Sequence, residues 1–261
     1  MIDLAGASAL VTGGSGGIGS AVVRRLLASG AAVVVADVDS RQGPAAAAAL
    51  GAEFVHTDVA SLADLAAAVA AAEARGPLRF VHLNAGISST MALEDVDEAL
   101  YRRALGVNLD GVFWGIRAAL PAMRRAGGGA IVATSSLAGL VPQPADPVYS
   151  ATKTAVIALV RSIGPTVRDD GIRLNCVCPG FADTPMVPDA LRQAGFPLLS
   201  ADEVAEAVLH IAASESDSQA YFLQPGRPLA AYVFHGVPGA RAPGRDASEV
   251  VPDVAWAHGG E

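Results

Sequence analysis

Cysteine is nearly absent from this chain of 261 residues, Cys176 and Cys178 being the only two. Their C-x-C spacing is neither that of a zinc site nor that of a thioredoxin-like pair. Residues so close on one strand seldom meet disulfide geometry. They read as two small buried apolar side chains, and a reducing, cytoplasmic setting is expected. Charge is scarce too. Charged residues make up 17% of the chain, and 26 acids against 18 Lys plus Arg leave a net charge of −8. No Lys/Arg cluster is present to displace counterions from a polyanion, so no nucleic-acid partner is expected. The five histidines (His56, His82, His210, His235, His258) are scattered, without a paired spacing or a carboxylate partner, so no metal site is expected. No apolar run reaches the ~18–20 residues of a membrane span, so no membrane partner is expected either. The start of the chain shows no basic region followed by a small-residue cleavage site, which argues against secretion.

What is abundant is apolar material, 52% of the residues, ample for a large core. Short β-branched runs at Ala9–Thr12, Ala32–Ala36, Glu53–His56, Phe80–Leu83, Ala130–Thr134 and Ile172–Val177 read as strands, with a weaker one at Ala220–Gln224. Ala/Leu-rich stretches of helical length separate them, near Gly17–Ser29, Gly43–Leu50, Ser61–Ala74, Val96–Arg125, Val148–Arg168 and Asp202–Ala213. Strands apolar on both faces, alternating with helices, predict one doubly wound parallel α/β sheet with helices on both faces. A single domain over residues 1–238 is expected. From Pro238 the composition turns to Pro, Gly, Ala and charge, and residues 239–261 read as a loosely ordered tail or an arm.

The first strand runs into Thr12-Gly13-Gly14-Ser15-Gly16-Gly17-Ile18-Gly19 and then into a helix. Glycines allow a tight turn and close approach to phosphates, while free N–H groups and the helix dipole favour negative charge. Asp37 closes the next strand, 18 residues beyond Gly19, near the usual distance of about 20 for a ribose-binding acid. Strand, glycine turn, helix and acid together predict a Rossmann-type dinucleotide site. A carboxylate at Asp37 accepts ribose hydroxyls and repels a 2′-phosphate, and Arg41 is the nearest cation, so NAD is expected rather than NADP.

Tyr149 and Lys153 stand one turn apart at the start of a long helical stretch, so phenol and ammonium can share a face. Proton transfer at neutral pH needs a donor well below the free tyrosine value of ~10, and a nearby ammonium together with a positive nicotinamide would lower it.

With these motifs in order, the chain resembles the short-chain dehydrogenase/reductase family, in its single-domain branch. The resemblance rests on Thr12, Gly13, Gly17, Ile18 and Gly19, then Asp58-Val59, Asn84-Ala85-Gly86 and Asn108. It continues through Ser136, thirteen residues before Tyr149, to Pro179-Gly180 and Thr184-Pro185-Met186, and spans roughly residues 4 to 225. It implies Tyr149 as general acid/base and Lys153 as the group that holds the nicotinamide ribose and lowers the tyrosine pKa. Ser136 would hydrogen-bond the carbonyl or alkoxide oxygen, and Asn108 would hold a water that links Lys153 to solvent. Cofactor contacts would come from Gly13, Ser15, Gly17, Ile18, Gly19, Asp37, Asp58, Val59, Asn84, Ala85, Gly86, Pro179, Gly180, Ala182 and Thr184, besides Tyr149 and Lys153. The reaction implied is hydride transfer between NAD and a secondary alcohol or ketone.

Three departures stand out. Leu83 replaces an asparagine of the family pattern. Pro165 predicts a kink or an early helix end near Gly164. The usual C-terminal glycine pair is replaced by Gln224–Pro228 and an apolar run at Leu229–Phe234, expected near the cleft. The helix bearing Pro165 often forms a subunit interface in the family, where a homo-dimer or homo-tetramer is implied. The substrate region, Leu137–Val148 and Phe181–Leu199, is apolar and its one cation is Arg192, so an uncharged, lipophilic alcohol or ketone is expected. Residues 181–199 read equally as a mobile lid or as a helix packed on the body. Two rival readings are a non-catalytic NAD sensor or scaffold and a sugar epimerase or dehydratase.

Overall fold

The computed structural model describes residues 4–88 and 93–236. In the first half, β1 (Ser8–Thr12), β2 (Ala32–Asp37), β3 (Glu53–His56) and β4 (Leu78–Leu83) alternate with α1 (Gly17–Ala28), α2 (Gly43–Leu50) and α3 (Leu62–Glu73). The second half runs α4 (Glu98–Leu105), α5 (Gly111–Arg125), β5 (Gly129–Thr134), α6 (Pro147–Val167), β6 (Ile172–Pro179), α7 (Asp189–Gln193), α8 (Ala201–Ala213), β7 (Ala220–Leu223) and β8 (Ala230–Ala231). The strands form one sheet in the order β3-β2-β1-β4-β5-β6-β7-β8. All pairs are parallel except β7–β8, an antiparallel edge that the sequence did not reveal. The chain turns back on its order between β1 and β4, and a crevice opens outside the carboxyl ends of the strands there.

Both faces of the sheet are apolar, so helices must cover both. Ala9, Val11, Val33, Val35, Phe80 and Val132 are buried in one cluster with Val22, Val23 and Leu26 of α1 and Val204, Val208 and Ile211 of α8. Helices α3 and α5 pack on each other, with Leu65, Ala68, Ile116 and Ala119 buried. Leu83 takes a place made for it by a glycine: a Cβ on Gly115 of α5 would lie 2.5 Å from Leu83 Cδ2. Helix starts follow their caps. Ser61 accepts from Asp64 N at α3, Asp97 from Leu100 N at α4, and Ser200 with Glu203 forms a capping box at α8.

The helical stretch expected over Val96–Arg125 runs unbroken from Glu98 to Arg125, as α4 and α5 with a π-helical turn between them at Gly106–Asp110, which carries Asn108. Pro165 does not end its helix early, since α6 continues to Val167. The proline removes one donor only in the last turn, and Gly164 lets the Asp217 and Ser218 side chains approach, where a Cβ would meet Ser218 Oγ at 2.2 Å. The chain divides into two units, Met1–Ala231 and Tyr232–Glu261. Within Leu229–Phe234, Ala230–Ala231 form the edge strand β8. The expected tail at 239–261 lies outside the described residues.

The glycine turn is the tightest place in the fold. Gly13 has φ +61°, and a Cβ on Gly19 would stand 2.1 Å from the Gly13 carbonyl oxygen, backbone that cannot swing aside. Gly→Ala inside a helix ordinarily stabilises by ~1 kcal/mol. Gly19→Ala is expected to destabilise instead, by about 1–3 kcal/mol. A lower urea midpoint would show it, and an unchanged or higher midpoint would show that the turn yields.

Candidate active site

The turn after β1 is shaped to take an anion. Helix α1 has no side-chain cap and no acid in its first turn, so its leading N–H groups are left for a ligand. The Ser15 hydroxyl is buried there without a hydrogen-bond partner. Nothing lies within 4 Å of a Cβ built on Gly16, while one on Gly13 would come within 2.9 Å of Ala85 Cα. The turn is therefore open on one side and backed tightly by the Asn84–Gly86 segment on the other. Asp37, at the end of β2, accepts from Ser15 N and Asp39 N, both at 3.1 Å, and so its carboxylate flanks the turn. These residues fit a dinucleotide: an orphan hydroxyl and free N–H groups for the phosphates, a carboxylate beside them for a ribose.

Tyr149 and Lys153 lie on the first two turns of α6, which Asp146 starts by accepting from Tyr149 N at 3.1 Å. Ser136, just past β5, lines the same cleft as the Tyr149 phenol and works to lower its pKa. Its Oγ also accepts from Ala138 N at 3.1 Å, which leaves the hydroxyl hydrogen to be given away. Ser135 is turned inward and donates to the Lys153 carbonyl at 2.8 Å. Lys153 is the only lysine in the chain. Its Nζ donates to the Thr134 carbonyl at 2.8 Å and sits 5.5 Å from the centre of the Tyr149 ring.

Burial dominates both titrations. Desolvation pushes the Lys153 ammonium down from 10.5 to about 8. It pushes the Tyr149 phenol up from 10.0, with the Ser136 hydrogen bond opposing and the Asp146 carboxylate adding to the rise.

Asn108 is fully buried and does not line the cleft. Its Oδ1 accepts from Ile87 N at 2.8 Å, and its Nδ2 donates to the Ile87 carbonyl at 2.9 Å and to Thr152 Oγ1 at 3.2 Å. Both amide hydrogens are used on protein, so the side chain clamps the strand exit to α6. A Cβ on Gly86 would fall 3.3 Å from Lys153 Nζ and 3.4 Å from Asn108 Oδ1, so both groups pack closely on this glycine. Asp58 is exposed and accepts from Ala60 N at 3.0 Å, while Val59 is buried against Gly111.

One cleft of about 670 Å³ collects most of the expected residues. Its lining takes in Gly13, Gly17, Ile18, Asn84, Ala85 and Gly86, then Ser136, Tyr149 and Lys153, and Pro179, Gly180, Ala182 and Thr184. Ser15, Gly19, Asp37, Asp58, Val59 and Asn108 are not in its lining. The remaining wall is apolar, with Leu137, Val141, Phe181, Met186, Val187 and Leu191. Sequence reasoning missed Thr134, His82 and the pair Ser88–Asp146, whose Oγ–Oδ2 distance is 2.6 Å. Asp146 was findable, since an acid before proline at a helix start is a capping signal. Nothing marked His82, a lone histidine within an apolar strand.

A β–α crevice with a glycine turn at a helix start, a bordering carboxylate and Ser136 and Tyr149 beside the buried Lys153 has the form of a nucleotide-dependent enzyme site. Residues 7–195 match the family model for short chain dehydrogenases. A 3-alpha-(or 20-beta)-hydroxysteroid dehydrogenase of Mycobacterium tuberculosis is 41% identical over 224 residues, covering 82% of this chain and 85% of the relative. Two enzymes of Sinomonas cyclohexanicum follow: a cis-4-hydroxycyclohexanecarboxylate dehydrogenase at 40% over 219 residues (78% and 88% covered), and the trans-4-hydroxycyclohexanecarboxylate dehydrogenase at 37% over 224 (80% and 86%). The chain belongs to the short-chain dehydrogenase/reductase family. It is an oxidoreductase acting on CH–OH groups, in a family that works with nicotinamide cofactors, NAD or NADP. Among the described residues no helix is long and apolar enough to cross a membrane, and no cluster of potential metal ligands is found.

The sole lysine can be watched directly. With ε-carbon-labelled lysine, the free protein is expected to show one side-chain resonance titrating near 8; a midpoint at the ordinary 10.5 would overturn the desolvated placement. A depressed value means the unfolded chain holds the proton to higher pH. Stability from this group therefore rises between about 8 and 10.5. Lys153→Met should remove that rise.

Proposed function

We propose that this chain is an NAD-dependent oxidoreductase that interconverts a secondary alcohol and a ketone, uncharged and lipophilic, with Tyr149 as the acid/base. The observation that carries this reading is that Ser136, Tyr149 and Lys153 line one cleft with Gly13, Gly17 and Ile18 of the glycine turn. When bound, the nicotinamide supplies or accepts the hydride. The chain handles the proton and the positioning.

In reduction, Tyr149 Oη gives its proton to the ketone oxygen. Burial keeps the phenol protonated in the free chain, the state an acid needs. Ser136 donates its hydroxyl hydrogen to the same oxygen and stabilises the charge that builds there. Lys153 uses one of its three hydrogens on Thr134 and keeps the others for ribose hydroxyls. Its charge, 5.5 Å from the phenol ring, steadies the phenolate left behind. Asn108 holds Ile87 and Thr152 around the lysine and so supports the relay. Gly13, Ser15, Gly17, Ile18 and Gly19 take the pyrophosphate, Asp37 the adenosine ribose, and Asp58 and Val59 the adenine side. Asn84, Ala85 and Gly86 back the cofactor, while Pro179, Gly180, Ala182 and Thr184 meet the nicotinamide.

The Asp37 carboxylate supports NAD over NADP, because a 2′-phosphate beside it would be repelled. The neutral substrate is supported by the cleft lining, where Lys153 is the one cation and Asp146 places a carboxylate three residues before Tyr149. Arg192 is bound up in its own segment and lies outside that lining. A homo-oligomeric, cytoplasmic enzyme remains our expectation, in keeping with Tyr101 and Phe113, exposed on α4 and α5.

Nicotinamide absorbance, followed with a panel of neutral alicyclic alcohols and their carboxylated analogues, tests the reading. Turnover of the neutral members is expected, and Tyr149→Phe should lose about 10²–10⁴-fold in kcat while still binding NADH. Cofactor binding without turnover of any substrate would favour the sensor. Asp37→Ala should lower the NAD-to-NADP preference by about tenfold or more; unchanged discrimination would refute the carboxylate's role.

A further inference from the structure

The segment after β6 is closed on itself by one side chain. Arg192 Nε donates to Asp183 Oδ1 at 3.0 Å, Nη1 to the Val187 carbonyl at 2.7 Å and Asp189 Oδ1 at 3.1 Å, and Nη2 to the Thr184 carbonyl. All three guanidinium nitrogens are committed. Helix α7 has only five residues, too few to hold a helix by itself. The guanidinium therefore gathers 183–192 into a loop. The two carboxylates are well exposed, at 60% and 85%, so those ion pairs contribute little, and the two charge-assisted bonds to carbonyls do most of the holding.

What this loop holds is one wall of the cleft. Its base is pinned where Asp183 N donates to the Leu199 carbonyl at 2.7 Å and Leu199 N to the Phe181 carbonyl at 2.8 Å. Its near end reaches the phosphate turn, since a Cβ on Gly17 would stand 3.1 Å from Thr184 Cγ2. Met186, Val187 and Leu191, on the same loop, face the cleft. The Thr184 carbonyl is fixed twice, by Arg192 and by Val187 N at 3.0 Å.

We propose that Arg192 is a positioning residue for the nicotinamide half of the site, holding Thr184 and the Met186–Val187 wall in place before the cofactor arrives. The inference rests on the dinucleotide reading given above. A loop ordered in advance saves the cofactor the ordering cost of binding. It makes 181–199 a standing wall rather than a lid that forms only on loading. The benefit falls on the nicotinamide end, because the adenosine and phosphate contacts come from the turn between β1 and α1, from Asp37 of β2 and from Asp58–Val59 after β3, none of which Arg192 touches.

Dissociation constants for NADH and for ADP-ribose, which lacks the nicotinamide, separate the two halves. Arg192→Ala is expected to weaken NADH about tenfold while ADP-ribose stays within about twofold. Arg192→Lys keeps the charge but not the fork, and should fall between. Equal weakening of both ligands would make Arg192 a general structural residue and overturn the proposal, as would NADH affinity left unchanged in both variants. A wild-type chain that bound neither ligand would remove the dinucleotide reading and this inference together. If wild type binds both and the alanine variant shows no split, only the inference falls.

Discussion

The Thr134 side chain and main chain tie the two halves of the site together at the end of β5. Its carbonyl takes the Lys153 ammonium at 2.8 Å, and its hydroxyl donates to Asn84 Oδ1 at 3.2 Å. Asn84 Nδ2 in turn donates to the carbonyls of Thr12 and Gly13, both at 3.3 Å. With the Thr134 hydrogen spent on Asn84, the His82 ring must be the donor in its 2.9 Å contact with Thr134 Oγ1. Full burial holds that ring neutral, its value pushed down to about 3, so no charge sits inside the sheet. The chain of bonds registers the glycine turn against α6.

Around that network the fold supplies what side-chain chemistry needs. Parallel strands aim their carboxyl ends at one crevice, and the reversal between β1 and β4 leaves a gap there. Glycines at 13, 17 and 86 keep the backbone near any bound group. The walls are apolar, which strengthens the few charges present and explains why the lone lysine is driven down while the phenol is driven up. Asn108 and Ser135 spend their side-chain polar groups on the protein itself.

Much of this was legible because it is local. The strands of the parallel sheet are runs of β-branched residues whose two-sided apolarity could mean little else. The glycine turn, Asp37, Tyr149 and Lys153 follow from spacing along single elements, and Ser136 from its distance to Tyr149. Other features were not legible. The π-helical turn at Gly106–Asp110 lies inside a stretch that reads as ordinary helix. Pro165 is tolerated because it falls in a last turn beside Gly164, which the Asp217 and Ser218 side chains approach. Neither fact is written in the local hydrophobic pattern.

From the chain alone came the sheet, its winding, the anion-binding turn and the residue types able to move a proton, since periodicity and short spacings are properties of neighbours in sequence. Tertiary structure alone decided that Thr134, His82 and Asn84 form one bonded series, that Asn108 spends its amide on protein, and that Arg192 closes a loop rather than meeting a substrate. It decided the direction of the phenol's shift as well. Burial and partner choice depend on which elements meet, the Thr134 bonds to His82 and Asn84 spanning 50 or more positions, and no spacing rule carries that information.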